Sequence, residues 1–297
     1  MQWLTMPVRV RRRAAAWCCA LLICAAPSRY ALADGCRFDV QGEGRVGSVI
    51  DNRTFRLEDG REVRLAGIQP LTTGSDALAA LIGGRDVTLR GETDTPDRWG
   101  RQGAFVFTGG PDTSGQASDP PVQNQLLVQG YALFTADVTD KGCAAELAAA
   151  EAAARQARRG KWADTGVIKN AESPEDILAC VGQFVVVEGR VLSVRQAGAT
   201  FYVNFGRRWT RDFAATISKR MMASFEDRRI NLKSLENRRV RVRGWVEQRG
   251  GPRIELLRTG QIEVVDENVG MIRKGGNQVS AKPVPGTAPG DRLQTEK

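Results

Sequence analysis

The stretch Gly44-Arg45-Val46-Gly47-Ser48-Val49-Ile50-Asp51-Asn52-Arg53-Thr54-Phe55-Arg56-Leu57-Glu58-Asp59-Gly60-Arg61-Glu62-Val63-Arg64-Leu65-Ala66-Gly67-Ile68 sets apolar and β-branched residues alternately against polar ones. A period of two marks strands with one buried face, and Asp59-Gly60 supplies a hairpin turn between them. The stretch therefore reads as a β-meander. Short strands are expected next at Asp86 to Arg90 and Gly103 to Thr108, and the Gly-, Pro- and Ser-rich segment 109–121 reads as an exposed loop. Residues 144–160 are Ala-rich, carry Arg155, Arg158 and Arg159 near their end, and meet Gly160, which predicts a helix with a stop. The fold class is mainly β, a small barrel closed by helices.

A second β segment begins at Val181. Phe184 to Val191, Thr200 to Phe205, Arg239 to Val246 and Arg253 to Leu257 have strand character, with a turn at Arg249-Gly250-Gly251-Pro252 and a helical stretch over 219–236. About five strands with one inserted helix fit a second OB-like barrel. From Glu267 onward Gly, Pro, Lys, Gln and Ser dominate, and residues 267–297 read as a disordered tail.

At the other end, Arg9, Arg11, Arg12 and Arg13 precede an apolar run from Ala14 to Ala26, and Ala31-Leu32-Ala33 follows. Basic residues, a short apolar run and a small-residue cleavage site make the pattern of an export signal, so residues 1–33 are expected to be removed. The run is shorter than the roughly 20 residues a spanning helix needs. The mature chain is then periplasmic or secreted, with a first domain over 34–165 and a second over 166–266.

The chain of 297 residues contains no histidine. That excludes a Ser-His-Asp triad, a Cys-His pair, an imidazole base and any His-ligated metal. Charge divides unevenly, at 15−19 = −4 for residues 34–165 and 18−12 = +6 for 166–266, so an electrostatic argument for nucleic acid applies to the second domain. Beyond the leader three cysteines remain, Cys36, Cys143 and Cys180. An odd count allows one disulfide; Cys36 to Cys143, pinning the amino terminus to the Ala-rich helix, is the preferred pairing, and Cys180 is expected to be a buried thiol.

Five separated motifs, Val49-Ile50-Asp51 through Ile68, Asp97-Arg98-Trp99-Gly100-Arg101, Leu127 to Ala132 and Ala149 to Trp162 among them, make residues 44–163 resemble the staphylococcal nuclease (thermonuclease) family. The resemblance implies an OB-fold domain and calcium-assisted phosphodiester hydrolysis. It also implies a site of acidic metal ligands, a glutamate that handles water and two arginines that grip phosphate. Arg64 and Arg101 fall on those two arginines. The acids do not carry over. Arg53 stands at one metal-ligand position within Asp51-Asn52-Arg53-Thr54, Gln69 at another, and Thr72 at the glutamate, leaving Asp51 as the retained acid. Ala136 and Val138 replace the substrate-pocket tyrosines.

Calcium takes six to eight oxygen ligands with several carboxylates among them. A guanidinium about 4 Å from a cation costs roughly 4 kcal/mol per unit charge at an effective dielectric near 20. The expectation is a degenerate nuclease without a cofactor, a nucleic-acid or phosphate-ligand binding module whose partners are single-stranded nucleic acid or a phosphorylated small ligand. One alternative is an active, Ca²⁺-dependent nuclease with relocated ligands, for which Glu58, Asp59 and Glu62 are candidates; another is a structural protein with an envelope partner. In the second domain, Tyr202, Arg207, Arg208, Trp209, Arg211, Arg241 and Arg243 interleave aromatic and basic side chains and are the candidate nucleic-acid surface.

Overall fold

The computed structural model describes residues 35–36, 38–71, 76–109, 119–227 and 230–265. The expected signal peptide, the expected tail and Thr72 lie outside the described residues. Among the described residues no helix is long and apolar enough to cross a membrane.

The meander folds as β1 (Val40–Val49), β2 (Thr54–Leu57) and β3 (Glu62–Leu65). Their Val46, Phe55, Leu57, Val63 and Leu65 side chains are buried together, each worth about 1.5–3 kcal/mol of transfer free energy. Asp59 accepts from the Arg61 amide at 3.0 Å, and Gly60 takes a φ of 89°, a conformation that a Cβ would oppose. A short β4 (Ile68–Pro70), α1 (Asp76–Ile82), β5 (Asp86–Arg90), β6 (Arg101–Phe107), α2 (Val122–Val128), β7 (Ala132–Phe134) and α3 (Lys141–Gln156) follow. Strands β1-β2-β3-β6-β5 form a closed barrel, and β4 pairs with β7 beside it. Closure depends on β1 pairing with β2 at one end and β5 at the other, and register shifts at Val40/Gly42 and Val46/Ser48 bend it through the corner.

The second half contains β8 (Ile168–Asn170), α4 (Pro174–Leu178), β9 (Phe184–Arg190), β10 (Ser193–Ala197), β11 (Thr200–Asn204), β12 (Ala214–Ser218), α5 (Met222–Asp227), β13 (Arg239–Arg249), β14 (Gly251–Glu255) and β15 (Ile262–Val264). Its sheet runs β10-β11-β12-β14-β13-β9-β8, with β15 on β13. Only Val191 and Leu192 separate β9 from β10, so of the two halves of one broken strand β10 lies at one end of that path and β9 next to its other end, inside β8. In this they do what β1 does unbroken in the first barrel. The parallel contact also recurs at the same place, β3 with β6 in one barrel and β12 with β14 in the other. Both halves are therefore OB-type barrels with helices.

Three local expectations are corrected. Helix α3 starts three residues earlier than its Ala-rich run, because Asp140 caps it by accepting from the Cys143 amide at 2.7 Å. It ends at Gln156, and Gly160 serves a close approach rather than a helix stop: a Cβ there would lie 2.4 Å from the Gln129 carbonyl oxygen. The stretch 219–236 is no single helix but 3₁₀ turns at Lys219–Met221 and Leu232–Leu235 flanking the short α5. Strands β8, β10, β12 and β15 were hidden from the pattern by their length and their small or polar residues.

The barrels meet along a seam of their own. Leu133, Ala154 and Trp162 from the first pack against Val186 of β9, with Leu71, Val167, Ile168 and Phe184 around them.

Candidate phosphate-binding cleft

The site grows from two turns. Between β1 and β2 the chain reverses over Asp51-Asn52-Arg53, with the Ile50 and Asp51 amides donating to the Thr54 carbonyl at 2.8 and 3.0 Å. The Asp51 carboxylate accepts from the Arg53 amide at 2.7 Å, an Asx turn, so the retained acid shapes the loop. Before β6, Asp97 accepts from the Trp99 and Arg101 amides at 2.9 and 3.0 Å while Gly100 takes a φ of 79°. That turn holds Arg101 with its Nε and Nη2 on Asp97 Oδ2, at 3.0 and 2.8 Å.

The parallel pairing of β3 with β6 then sets Arg64 opposite Gly103 and Glu62 opposite Arg101. Arg64 and Arg101 consequently share one face, with a gap above Gly103: a Cβ placed there would meet nothing within 4 Å. The gap belongs to a cleft of about 260 Å³ lined by Arg53, Arg64, Gly103, Glu92, Asp137 and Phe105 among others. Arg53 lies across its end, Nε donating to the Leu65 carbonyl at 3.0 Å and Nη1 to Gln69 Oε1 at 2.7 Å. Arg64 has neither a hydrogen bond nor an ion pair among the described residues.

Burial, and next the neighbouring Arg64, push the Arg53 pKa down to about 10, against the pull of Asp137 and Asp51. At 1.36 kcal/mol per unit, keeping Arg53 charged here costs on the order of 3 kcal/mol relative to water. Arg64 is shifted the same way, by burial and then by Arg101. Asp97 is held at about 2, first by the Arg101 side-chain bond. The cleft thus sets two partly desolvated guanidinium groups, Arg53 and Arg64, beside Asp137 and Glu92, and burial with mutual repulsion outweighs the pull of the acids on both arginines, a balance that a bound oxyanion would relieve.

Asp137 and Glu92 escaped the sequence reading because nothing in their local patterns places them near Arg64; the fold brings them from distant loops. Both are engaged, Asp137 with the Thr135 hydroxyl and Glu92 with the Thr139 amide at 2.8 Å. Glu58, Asp59 and Glu62 pair instead with Arg45, Arg61 and Arg56 at 3.5, 2.7 and 2.6 Å. None of the three lines the cleft. Among the described residues no three Asp, Glu, Cys or His side chains come together to hold an ion. With a guanidinium on Gln69 as well, these residues do not fit calcium.

Cys36 and Cys143 are joined by a disulfide with Cα atoms 4.3 Å apart, tying the segment before β1 to the first turn of α3. Cys180 is a buried free thiol.

The second-barrel candidates separate into two groups. Arg207, Arg208 and Trp209 are exposed on the β11–β12 loop, Trp209 with 72% of its surface open. Arg211 is exposed and paired with Glu175 at 2.9 Å, and Tyr202 lies half-buried, 5.3 Å from the Arg253 guanidinium. Arg241 and Arg243 do not belong to that surface. They point outward from β13 as alternation requires, but the face they occupy is covered, leaving them 8% and 3% exposed. Arg241 is bound by Glu188 and Glu263, and Arg243 by Glu151 and the Phe134 carbonyl. A scan against protein-family models finds no match for this chain, and a search of curated proteins finds none either.

Proposed function

We propose that this is an exported, thermonuclease-like protein that binds phosphate groups of nucleic acid or of a phosphorylated small ligand without hydrolysing them. The observation that carries the reading is Arg64: a half-buried guanidinium without a protein partner among the described residues, set over an open gap between Arg53 and Arg101. Hydrolysis needs a group that activates water and charge that stabilises the leaving oxygen. The cleft is rich in the second, while Asp51, Asp97, Asp137 and Glu92 are each committed to a turn or a neighbour. On the second barrel, Arg207, Arg208, Trp209 and Tyr202 form an accessory surface on which a single strand can stack and be neutralised.

A second reading, cleavage with relocated acids, is favoured by the presence of Asp137 and Glu92 on the same cleft wall. One experiment separates the two. Labelled single-stranded DNA and RNA are incubated with residues 34–297, with Ca²⁺ or with chelator, beside the R64A/R101A double variant. Binding in both buffers without cleavage, weakened in the variant, supports the binding reading. Calcium-dependent cleavage lost in the variant would replace it by the catalytic one, and no binding at all would leave the envelope-protein alternative.

A further inference from the structure

Arg53 is fixed at the cleft by more contacts than its turn requires. A tether for the β1–β2 turn would be complete with the Leu65 carbonyl and the Asx turn already described. Arg53 goes further, laying Nη1 on Gln69 Oε1 at 2.7 Å at the end of a cleft that it lines together with Arg64. Gln69 is a neutral acceptor: it orients the guanidinium without cancelling its charge, whereas Arg101 on the far side is neutralised by Asp97. Arg53 thus carries its charge at the cleft beside Arg64, offset in part by Asp137 and Asp51 but by no carboxylate bonded to its guanidinium. The protein also maintains that charge against burial and against Arg64, and a bound anion would relieve both penalties.

We propose that Arg53 is a resident cation, a guanidinium seated on Gln69 and the Leu65 carbonyl that supplies the positive charge a divalent ion would bring, so that phosphate is held without metal. The inference rests on the phosphate-binding reading above. It makes Gln69 a positioning residue and Arg53 a binding residue, and it makes the site insensitive to chelators. The ligand class is an oxyanion of phosphate type, because a planar fork with parallel N–H donors matches two phosphate oxygens.

The test is calorimetric titration of inorganic phosphate into residues 34–297, in chelator and in calcium, for the wild type and for R64A, R53Q, R53K and R53D/Q69D. Melting curves establish that each variant is folded. The expected result is equal wild-type affinity in both buffers, a loss of tenfold or more in R53Q and partial retention in R53K. The double variant is expected to lose phosphate in chelator and to take up Ca²⁺, read directly by titration of the metal. A change of the Arg53 Nε–H NMR signal on adding phosphate to the wild type gives the same answer without any substitution. Wild-type binding that is lost in R64A but unchanged in R53Q, with an unmoved Arg53 signal, would overturn the inference and leave the phosphate reading standing. Wild-type binding that requires calcium would also overturn it. No wild-type binding in either buffer would overturn the phosphate reading and the inference with it.

Discussion

Arg243 reaches out of the second barrel to the first, where its Nη1 donates to the Phe134 carbonyl at 2.9 Å and to the carboxylate of Glu151 on α3. Both side chains are almost fully buried, and the Glu151 carboxylate also accepts from the Phe134 amide. Around them Arg155, Glu263, Arg241, Glu188 and Arg239 continue a chain of opposite charges along the seam. Of the residues that look in sequence like a basic strand for nucleic acid, Arg243 bonds across the two barrels and Arg241 is held by Glu188 and Glu263 within the second.

Removing one member of that pair leaves an unpaired charge in the seam. Arg243→Leu or Glu151→Leu is expected to cost about 3–5 kcal/mol, while the double substitution recovers most of the loss because two desolvated charges leave together. Thermal and urea unfolding of the four proteins checks this. Additive losses in the double variant would show that the two side chains act independently.

The same geometry separates two groups of arginines that sequence joins. Arg241→Ala is expected to lower stability through loss of its bonds to Glu188 and Glu263. Arg207→Ala and Arg208→Ala should leave stability within about 0.5 kcal/mol, since both are exposed surface residues. If the β11–β12 loop holds a strand, each of the latter lowers the slope of log affinity against log salt by about one. Unchanged slopes in both would remove that loop from the binding surface.

Asp97 provides a titration with a defined sign. Its folded pKa of about 2 lies below the ordinary 3.8, so its contribution to the turn is present above the ordinary value and is lost as pH falls from 3.8 through 2. Carboxyl NMR should place its midpoint near 2, and Arg101→Ala should return it toward 3.8. A midpoint unaffected by that substitution would mean that the turn amides, rather than the Arg101 side chain, hold the carboxylate.

Gly103 tests the cleft by volume rather than by charge. Gly103→Leu fills open space, so it is expected to leave the melting temperature nearly unchanged while abolishing phosphate binding, as read by the same calorimetry. Normal binding in this variant would place the ligand elsewhere.

The Cys36–Cys143 bridge closes a loop of 107 residues around the first barrel. Cys36→Ser with Cys143→Ser should cost about 2–5 kcal/mol, and reduction of the wild type should reproduce the loss. An unchanged denaturation midpoint in both would show that the segment before β1 adds nothing to stability.

What the sequence determined by itself was whatever depends on neighbours along the chain. Alternation from Val46 to Leu65, the Asp59-Gly60 turn and the Val-rich strand at Phe184 each announce a buried face or a reversal, and together they were enough for mainly β architecture in two barrels. The absence of histidine and the appearance of Arg53 and Gln69 where acids were expected narrowed the chemistry in the same local way. Tertiary structure alone decided what depends on distance. Strand alternation reports which face a side chain takes, not what covers that face, so Arg241 and Arg243 read as surface and are buried. Pairing of β3 with β6 crosses 35 or more residues of chain, and only that pairing sets Arg64 beside Arg101 over the space left by Gly103. Asp137 and Glu92 reach the cleft by loop closure, which no local period encodes, and the spending of Asp51 on a turn is visible only once its carboxylate has a direction.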